Sequence, residues 1–170
     1  MPLERQIDAE PSIAGPVMRQ MEFLTDENPL TSLYLTLLHK AIDRDTAPEV
    51  HPAFPSIISQ LSPDEAMVLY VFATEGRKVI RAGQIRGGEL MEENFPTERL
   101  TVPGQYKVYL NRLRALNLVQ FIPETPLQLK TPGSPPRGRE SDLSDFGAWF
   151  CKTCVPPDFR TEKAGEAHTE

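Results

Sequence analysis

Val50-His-Pro-Ala-Phe-Pro-Ser-Ile-Ile-Ser-Gln-Leu-Ser-Pro-Asp-Glu-Ala66 decides how this chain is read. Phe54, Ile57, Ile58 and Leu61 fall at i, i+3, i+4 and i+7, which places one apolar face on a short helix. Ser62 then stands as an N-cap, with Pro63 at the first helical position and Glu65 three residues after the cap. That is a capping box with its preferred proline. The stretch is therefore two helices joined by a capped turn, and it carries no catalytic chemistry.

The neighbouring segments are also mostly helical. Leu30, Leu33, Tyr34, Leu37, Leu38, Ala41 and Ile42 repeat with helical spacing and predict a helix from Asn28 to Asp43, capped by Thr25 or Asp26. The helix that starts at Ser62 buries Ala66, Leu69, Tyr70 and Ala73 and ends at Gly76. Val79-Ile80 reads as a short strand, with Gly83, Gly87 and Gly88 breaking any longer element and Glu89–Asn94 as a helical turn or two. A helix resumes near Gln105 with Tyr106, Tyr109, Leu110, Leu113 and Leu116 inward. Asn117 occupies the left-handed position that ends it. Leu118–Ile122 and Asp142-Leu143 read as strands flanking a proline- and glycine-rich excursion at 126–139. Ser144 caps a last helix with Phe146, Trp149, Phe150 and Thr153 or Cys154 on one side.

This order predicts a mainly α fold with a small β-wing, the N-terminal helices packing on a winged-helix-like C-terminal half. The expected divisions are a flexible lead-in at 1–15, a helical region at 16–61, a winged-helix-like region at 62–155 and a disordered tail at 156–170. The expected core includes Leu33, Leu37, Phe54, Ile58, Leu61, Leu69, Leu110, Leu113, Phe146 and Phe150.

Composition narrows the function classes. The 170 residues include 17 prolines, 39% are apolar, and the formal net charge is −6. No window approaches the ~20 apolar residues of a membrane span, and the first residues lack a secretory pattern, so the expectation is a soluble cytoplasmic protein without membrane contact. Two cysteines do not make a disulfide framework. The acidic balance disfavours nonspecific attraction to nucleic acid without excluding a local basic face.

Three blocks resemble the bacterial abortive-infection alpha family, a family without an established biochemical activity. The first is Ile13-Ala-Gly-Pro-Val17 with Asn28-Pro-Leu-Thr-Ser-Leu-Tyr-Leu-Thr-Leu-Leu38 and Ala41-Ile-Asp43. The second is His51-Pro-Ala-Phe54 with Ile57-Ile-Ser-Gln-Leu-Ser-Pro-Asp-Glu-Ala66. The third is Tyr109-Leu-Asn-Arg-Leu-Arg-Ala-Leu-Asn-Leu-Val119 with Leu143-Ser-Asp-Phe-Gly147. The resemblance implies a context of phage defence or toxin–antitoxin systems and no mechanism.

The candidate chemical residues each have a plainer role. Cys151 and Cys154 have the spacing of a metal knuckle or redox pair. Zinc needs about four ligands, and His39, His51 and His168 are not at ligand spacing. The thiols also sit near a helix C-terminus, where the dipole does not lower their pKa. Packed thiols are expected, with no metal and no cofactor. His51 reads as a cap or packing residue, and Asp64 and Glu65 as acids favoured by a helix N-terminus. Gly83–Gly88 lacks the lysine and the spacing of a phosphate loop. The basic residues Arg77, Lys78, Arg81 and Arg86, with Lys107, Asn111, Arg112, Arg114, Arg137 and Arg139, form a candidate nucleic-acid face. Glu89, Glu92, Glu93 and Glu98 oppose it. The sequence therefore favours a non-enzymatic binding or regulatory protein acting through an unknown protein partner, with a homodimer as one form of that contact. The alternative is a winged-helix DNA-binding regulator using the face around Arg112.

Overall fold

The computed structural model describes residues 3–76, 78–85, 88–93, 95–122 and 139–159. The helices are α1 (Pro11–Met21), α2 (Pro29–Ala41), α3 (Phe54–Ile58), α4 (Pro63–Glu75), α5 (Tyr106–Ala115) and α6 (Asp145–Cys154). The strands are β1 (Lys78–Ile85), β2 (Gly88–Glu93), β3 (Val119–Ile122) and β4 (Arg139–Leu143). They form one antiparallel sheet in the order β2-β1-β4-β3.

α4 is the hub. Its residues from Asp64 to Leu69, together with Val71 and Phe72, are buried, so it is apolar nearly all round, as a central helix must be. α2, α5, α6 and β4 pack on it. Both members of the capping box are made: Glu65 N–H donates to Ser62 Oγ at 3.2 Å, and Ser62 N–H donates to Glu65 Oε2 at 2.7 Å. Gly76 ends the helix at φ 72°. The apolar face of the 54–61 segment is buried as expected, and α3 places Phe54 and Ile58 in the core. Nine of the ten expected core residues are buried, and Phe146 packs against the core while partly exposed.

α5 ends in a Schellman motif. Asn117 takes φ 57°, Leu118 N–H donates to Leu113 O and Asn117 N–H to Arg114 O, both at 2.9 Å. The chain then enters β3, and β4 returns beside it with Val119 opposite Leu143. The two strands after α5 make the expected hairpin, and the order α4, β1, β2, α5, β3, β4, α6 is compatible with a winged-helix arrangement.

Several expectations change. The hairpin belongs to a four-stranded sheet, because β1 runs through Gly83 to Ile85 and pairs with β2. Gly83 therefore does not break the element; glycine in a strand only weakens it. Residues 88–93 are a strand and not a helical turn, with register pairing along their length to β1. α2 is capped by Asn28, whose Oδ1 accepts Leu30 N–H at 3.0 Å, and not by Thr25 or Asp26. Pro29 sets the first helical position one residue after Asn28, which excludes an earlier cap. Ala73 is exposed, since the buried arc of α4 turns away near its last turn.

The lead-in expected over residues 1–15 gives way at Pro11 to α1, which buries Ile13 and Val17. Phe159, placed in the tail, is buried against Tyr70 at 5.9 Å between ring centroids. The tail from 160 lies outside the described residues.

α6 sits directly on the α5–β3 turn. Ser144 N–H donates to Leu118 O at 3.1 Å, the Ser144 hydroxyl donates to Asn117 O, and Gly147 N–H donates to Ser144 Oγ at 2.9 Å. A Cβ on Gly147 would lie 1.8 Å from Leu118 O and 2.7 Å from its carbonyl carbon. Both obstacles are backbone, so neither side can yield cheaply. Gly147→Ala is expected to lose about 3 kcal/mol or more in urea denaturation, at the upper end of overpacking costs. A loss below about 0.5 kcal/mol, the scale of an inert surface change, would refute the close approach.

Candidate interaction face between α4 and α5

The first turn of α4 buries two carboxylates, and neighbouring elements converge on them. Asp64 is 4% exposed and Glu65 1%. Asp64 accepts Thr101 N–H at 2.8 Å, Val102 N–H at 3.0 Å and the Tyr109 hydroxyl at 2.9 Å. It thereby holds the loop entering α5 and the inner side of α5 at once. Glu65 Oε1 lies 3.0 Å from Arg112 Nε, and Arg112 Nη2 donates to Gln60 O at 2.7 Å.

Over these groups lies a groove of about 410 Å³, lined by Ser62, Pro63, Asp64, Glu65, Thr101, Gln105, Val108, Tyr109 and Arg112. Val108 is 53% exposed, and Val102, whose N–H binds Asp64, is 44% exposed.

Burial alone would raise the Asp64 pKa. The hydrogen bonds from Thr101, Val102 and Tyr109 outweigh it, and the carboxyl ends below its ordinary 3.8. Burial, then the hydrogen bond to Asp64, pushes the Tyr109 phenol up to about 12, so it remains a donor.

The basic residues of the proposed nucleic-acid face have varied placements. Lys107, Asn111, Arg112 and Arg114 share the exposed side of α5. Arg112 is committed to Glu65 and Gln60, and the Arg114 guanidinium lies 3.7 Å from the Phe121 ring centroid. Arg81 stands in register opposite Glu92 across β1 and β2. Arg139 stands opposite Ile80. Arg77, Arg86 and Arg137 lie outside the described residues.

Other candidates serve the fold. His51 Nδ1 accepts Ala53 N–H at 3.1 Å, and its ring packs against Phe54, Phe146 and Trp149. That is the cap and packing role expected of it. Cys151 and Cys154 are free and buried. Burial pushes the Cys151 thiol up to about 12 and Cys154 well above its ordinary value, so both stay neutral and unreactive. Among the described residues, no group of three or more His, Cys, Asp or Glu side chains gathers as a metal site, and no helix is long and apolar enough to cross a membrane.

The clamp role of Asp64 was not foreseen, because its donors come from residues 101, 102 and 109, far away in sequence. The one available signal was an acid at the second helical position, which the helix dipole already explained.

Asp64 gives a pH prediction. Its folded pKa is depressed, so its contribution is present above the ordinary carboxylate value of 3.8 and is lost as pH falls through the lower folded value. Asp64→Asn should cost about 1.5–3 kcal/mol at pH 6, the range for hydrogen bonds to a charged group. It should also flatten the acid limb of stability against pH in chemical denaturation. An unchanged acid limb would show that Asp64 does not carry the linkage.

Neither a curated protein nor a solved structure matches the chain. A family model does match, over residues 1–154 of the 170, and it spans α1 through α6 with the capping box, the Asp64–Glu65 clamp and the α6 contact at Gly147. The chain belongs to the Abortive infection alpha family.

Proposed function

We propose that this chain is a non-catalytic protein-interaction module of bacterial, abortive-infection-type defence. It acts in the cytoplasm, and the groove between α4 and α5 is its contact face. The observation that carries this reading is the commitment of the polar groups at that groove. Asp64, Glu65 and Arg112 hold α4, α5 and the 101–102 loop together. The groove then presents Pro63 and the exposed Val108 in its lining, with Val102 exposed on the adjoining loop, and apolar surface of this kind is what a protein partner covers. Family membership supports the defence context.

DNA recognition through α5 is the competing reading. It needs cations free to release counterions from phosphate, and Arg112 and Arg114 are already engaged within the chain.

Two measurements test the proposal. Fluorescence anisotropy with a duplex oligonucleotide at low salt should show no binding. Binding that weakens steeply with salt and disappears in Asn111→Glu, an exposed position on α5, would overturn the proposal in favour of a DNA regulator. Asn111 is the better probe because Arg112→Glu would set a second acid against buried Glu65 and unfold the face. In a bacterial host carrying the gene, phage plaque counts should fall. Val108→Glu should abolish that protection while leaving the melting curve unchanged. Full protection by the folded Val108→Glu variant would remove the groove from the mechanism.

A further inference from the structure

The N-terminal segment is bound to the fold as a ligand would be. After a 3-10 turn at Leu3–Arg5, the chain runs extended over the C-terminal end of α2, and exposure alternates along it. Arg5, Ile7 and Ala9 are partly buried, while Glu4, Gln6, Asp8 and Glu10 are exposed. That is the period of a strand laid on a surface.

The strap is held by one antiparallel bridge, Gln6 opposite Asp43. Ile7 N–H donates to Ile42 O and Arg44 N–H to Arg5 O, both at 2.9 Å. Arg5 grips the Asp43 carboxylate with both prongs, Nε to Oδ1 at 3.0 Å and Nη2 to Oδ2 at 2.5 Å. Such a fork is specific to arginine.

One contact of the floor is made without the strap, and the rest is covered by Arg5 itself. The Asp43 side chain is only 9% exposed, and Asp45 N–H fixes its Oδ1 at 3.1 Å. Beside Ile7 a cavity of about 160 Å³ remains, walled by Ile13, Ala41, Ala47 and Val50. The strap thus fits its seat without filling it. Among the described residues, Asp8 and Ala9 donate no backbone hydrogen bond, whereas the Glu10 carbonyl accepts Ile13 N–H and Ala14 N–H at the start of α1, so release of the strap hinges before Glu10 and gives up the packing of Ala9 on the core.

We propose that this seat is a docking site for an extended segment of a partner protein, of the pattern arginine–any–aliphatic–any–small. The chain's own Arg5-Gln6-Ile7-Asp8-Ala9 occupies it in cis as a removable plug. Main-chain pairing and alternate side-chain pockets are how an added strand is recognised. Arginine on Asp43 sets the register, and the aliphatic residue enters beside the cavity. An incoming segment competes with a tethered strap whose effective concentration is on the order of millimolar. A side chain larger than Ile7 that fills the cavity supplies the advantage needed. The site is separate from the α4–α5 groove, so it stands or falls apart from the function proposed above.

The test uses the full chain and a fluorescein-labelled octapeptide, Leu-Glu-Arg-Gln-Ile-Asp-Ala-Glu. Arg5→Ala weakens the plug and leaves the seat intact. By anisotropy, it should bind the octapeptide roughly tenfold or more tighter than the unmodified chain, as follows when a larger fraction of the seat is open. The same peptide with alanine for arginine should not bind, and adding Asp43→Asn to the variant should abolish binding. A folded Arg5→Ala chain that fails to bind, or that binds both peptides equally, overturns the proposal. Should Arg5→Ala not fold, hydrogen exchange on the unmodified chain decides. The Ile7 and Arg44 amides should exchange roughly tenfold or more faster than the interior of α2, as local release requires. Equal protection would show that the strap does not leave its seat.

Discussion

Two buried carboxylates at the start of α4 constrain the rest of the structure. Removing a charge from water costs several kcal/mol unless partners replace the lost solvation. Asp64 and Glu65 therefore dictate what must surround them. Asp64 demands donors and takes them from Thr101, Val102 and Tyr109. Glu65 accepts Ser62 N–H on Oε2, and its Oε1 is offset electrostatically by the Arg112 guanidinium 3.0 Å away, without a hydrogen bond. α4 is otherwise apolar on nearly every side and could slide or rotate among its neighbours at little cost. Its polar first turn fixes the register of α5 against it.

A second fixed point lies where α5 ends. The Schellman turn at Asn117 aims Leu118 into the core, and the Leu118 carbonyl then receives the N-terminus of α6. Gly147 is required because α6 approaches that carbonyl more closely than any side chain allows. The blocks Tyr109–Val119 and Leu143–Gly147, less specific to the family than His51–Ala66, are explained by this junction. They record a packing requirement. The same holds for His51, whose ring nitrogen caps Ala53 while its faces meet Phe54 and Trp149.

The features legible in the sequence were those set by local rules. The capping box at Ser62, the left-handed Asn117, the Ser144 cap and the apolar stripes of α2 and α5 each depend on residues within a turn or two. Features that depend on distant partners were not legible. The β1–β2 hairpin contains glycines at positions 83 and 88 and little alternation, so its pairing is evident only once the register is seen. The strap at Arg5–Ala9 alternates correctly, but its acidic and polar outer residues resemble a lead-in, and its anchor Asp43 lies 38 residues away. For the proposed interaction face, the sequence marks Arg112 as a cation available to a ligand. It could not show that a buried glutamate one helix away already holds it.

The electrostatics follow from the same pairings. Several cations of the described residues lie on local acids: Arg5 on Asp43 and Asp45, Lys40 and Lys152 on Glu49, Arg99 on Glu75 and Arg112 on Glu65. The formal charge of −6 gives a net field that repels polyanions, weakly beyond the Debye length and more strongly at contact. Complementary charge raises association rates and rejects wrong partners more than it adds affinity. At the end of α2 the fold keeps a carboxylate whose geometry suits an arginine, and the chain's own Arg5 lies on it. If a partner segment docks there as proposed, long-range steering and short-range fit favour the same cationic group, the first through the whole charge distribution and the second through Asp43 alone.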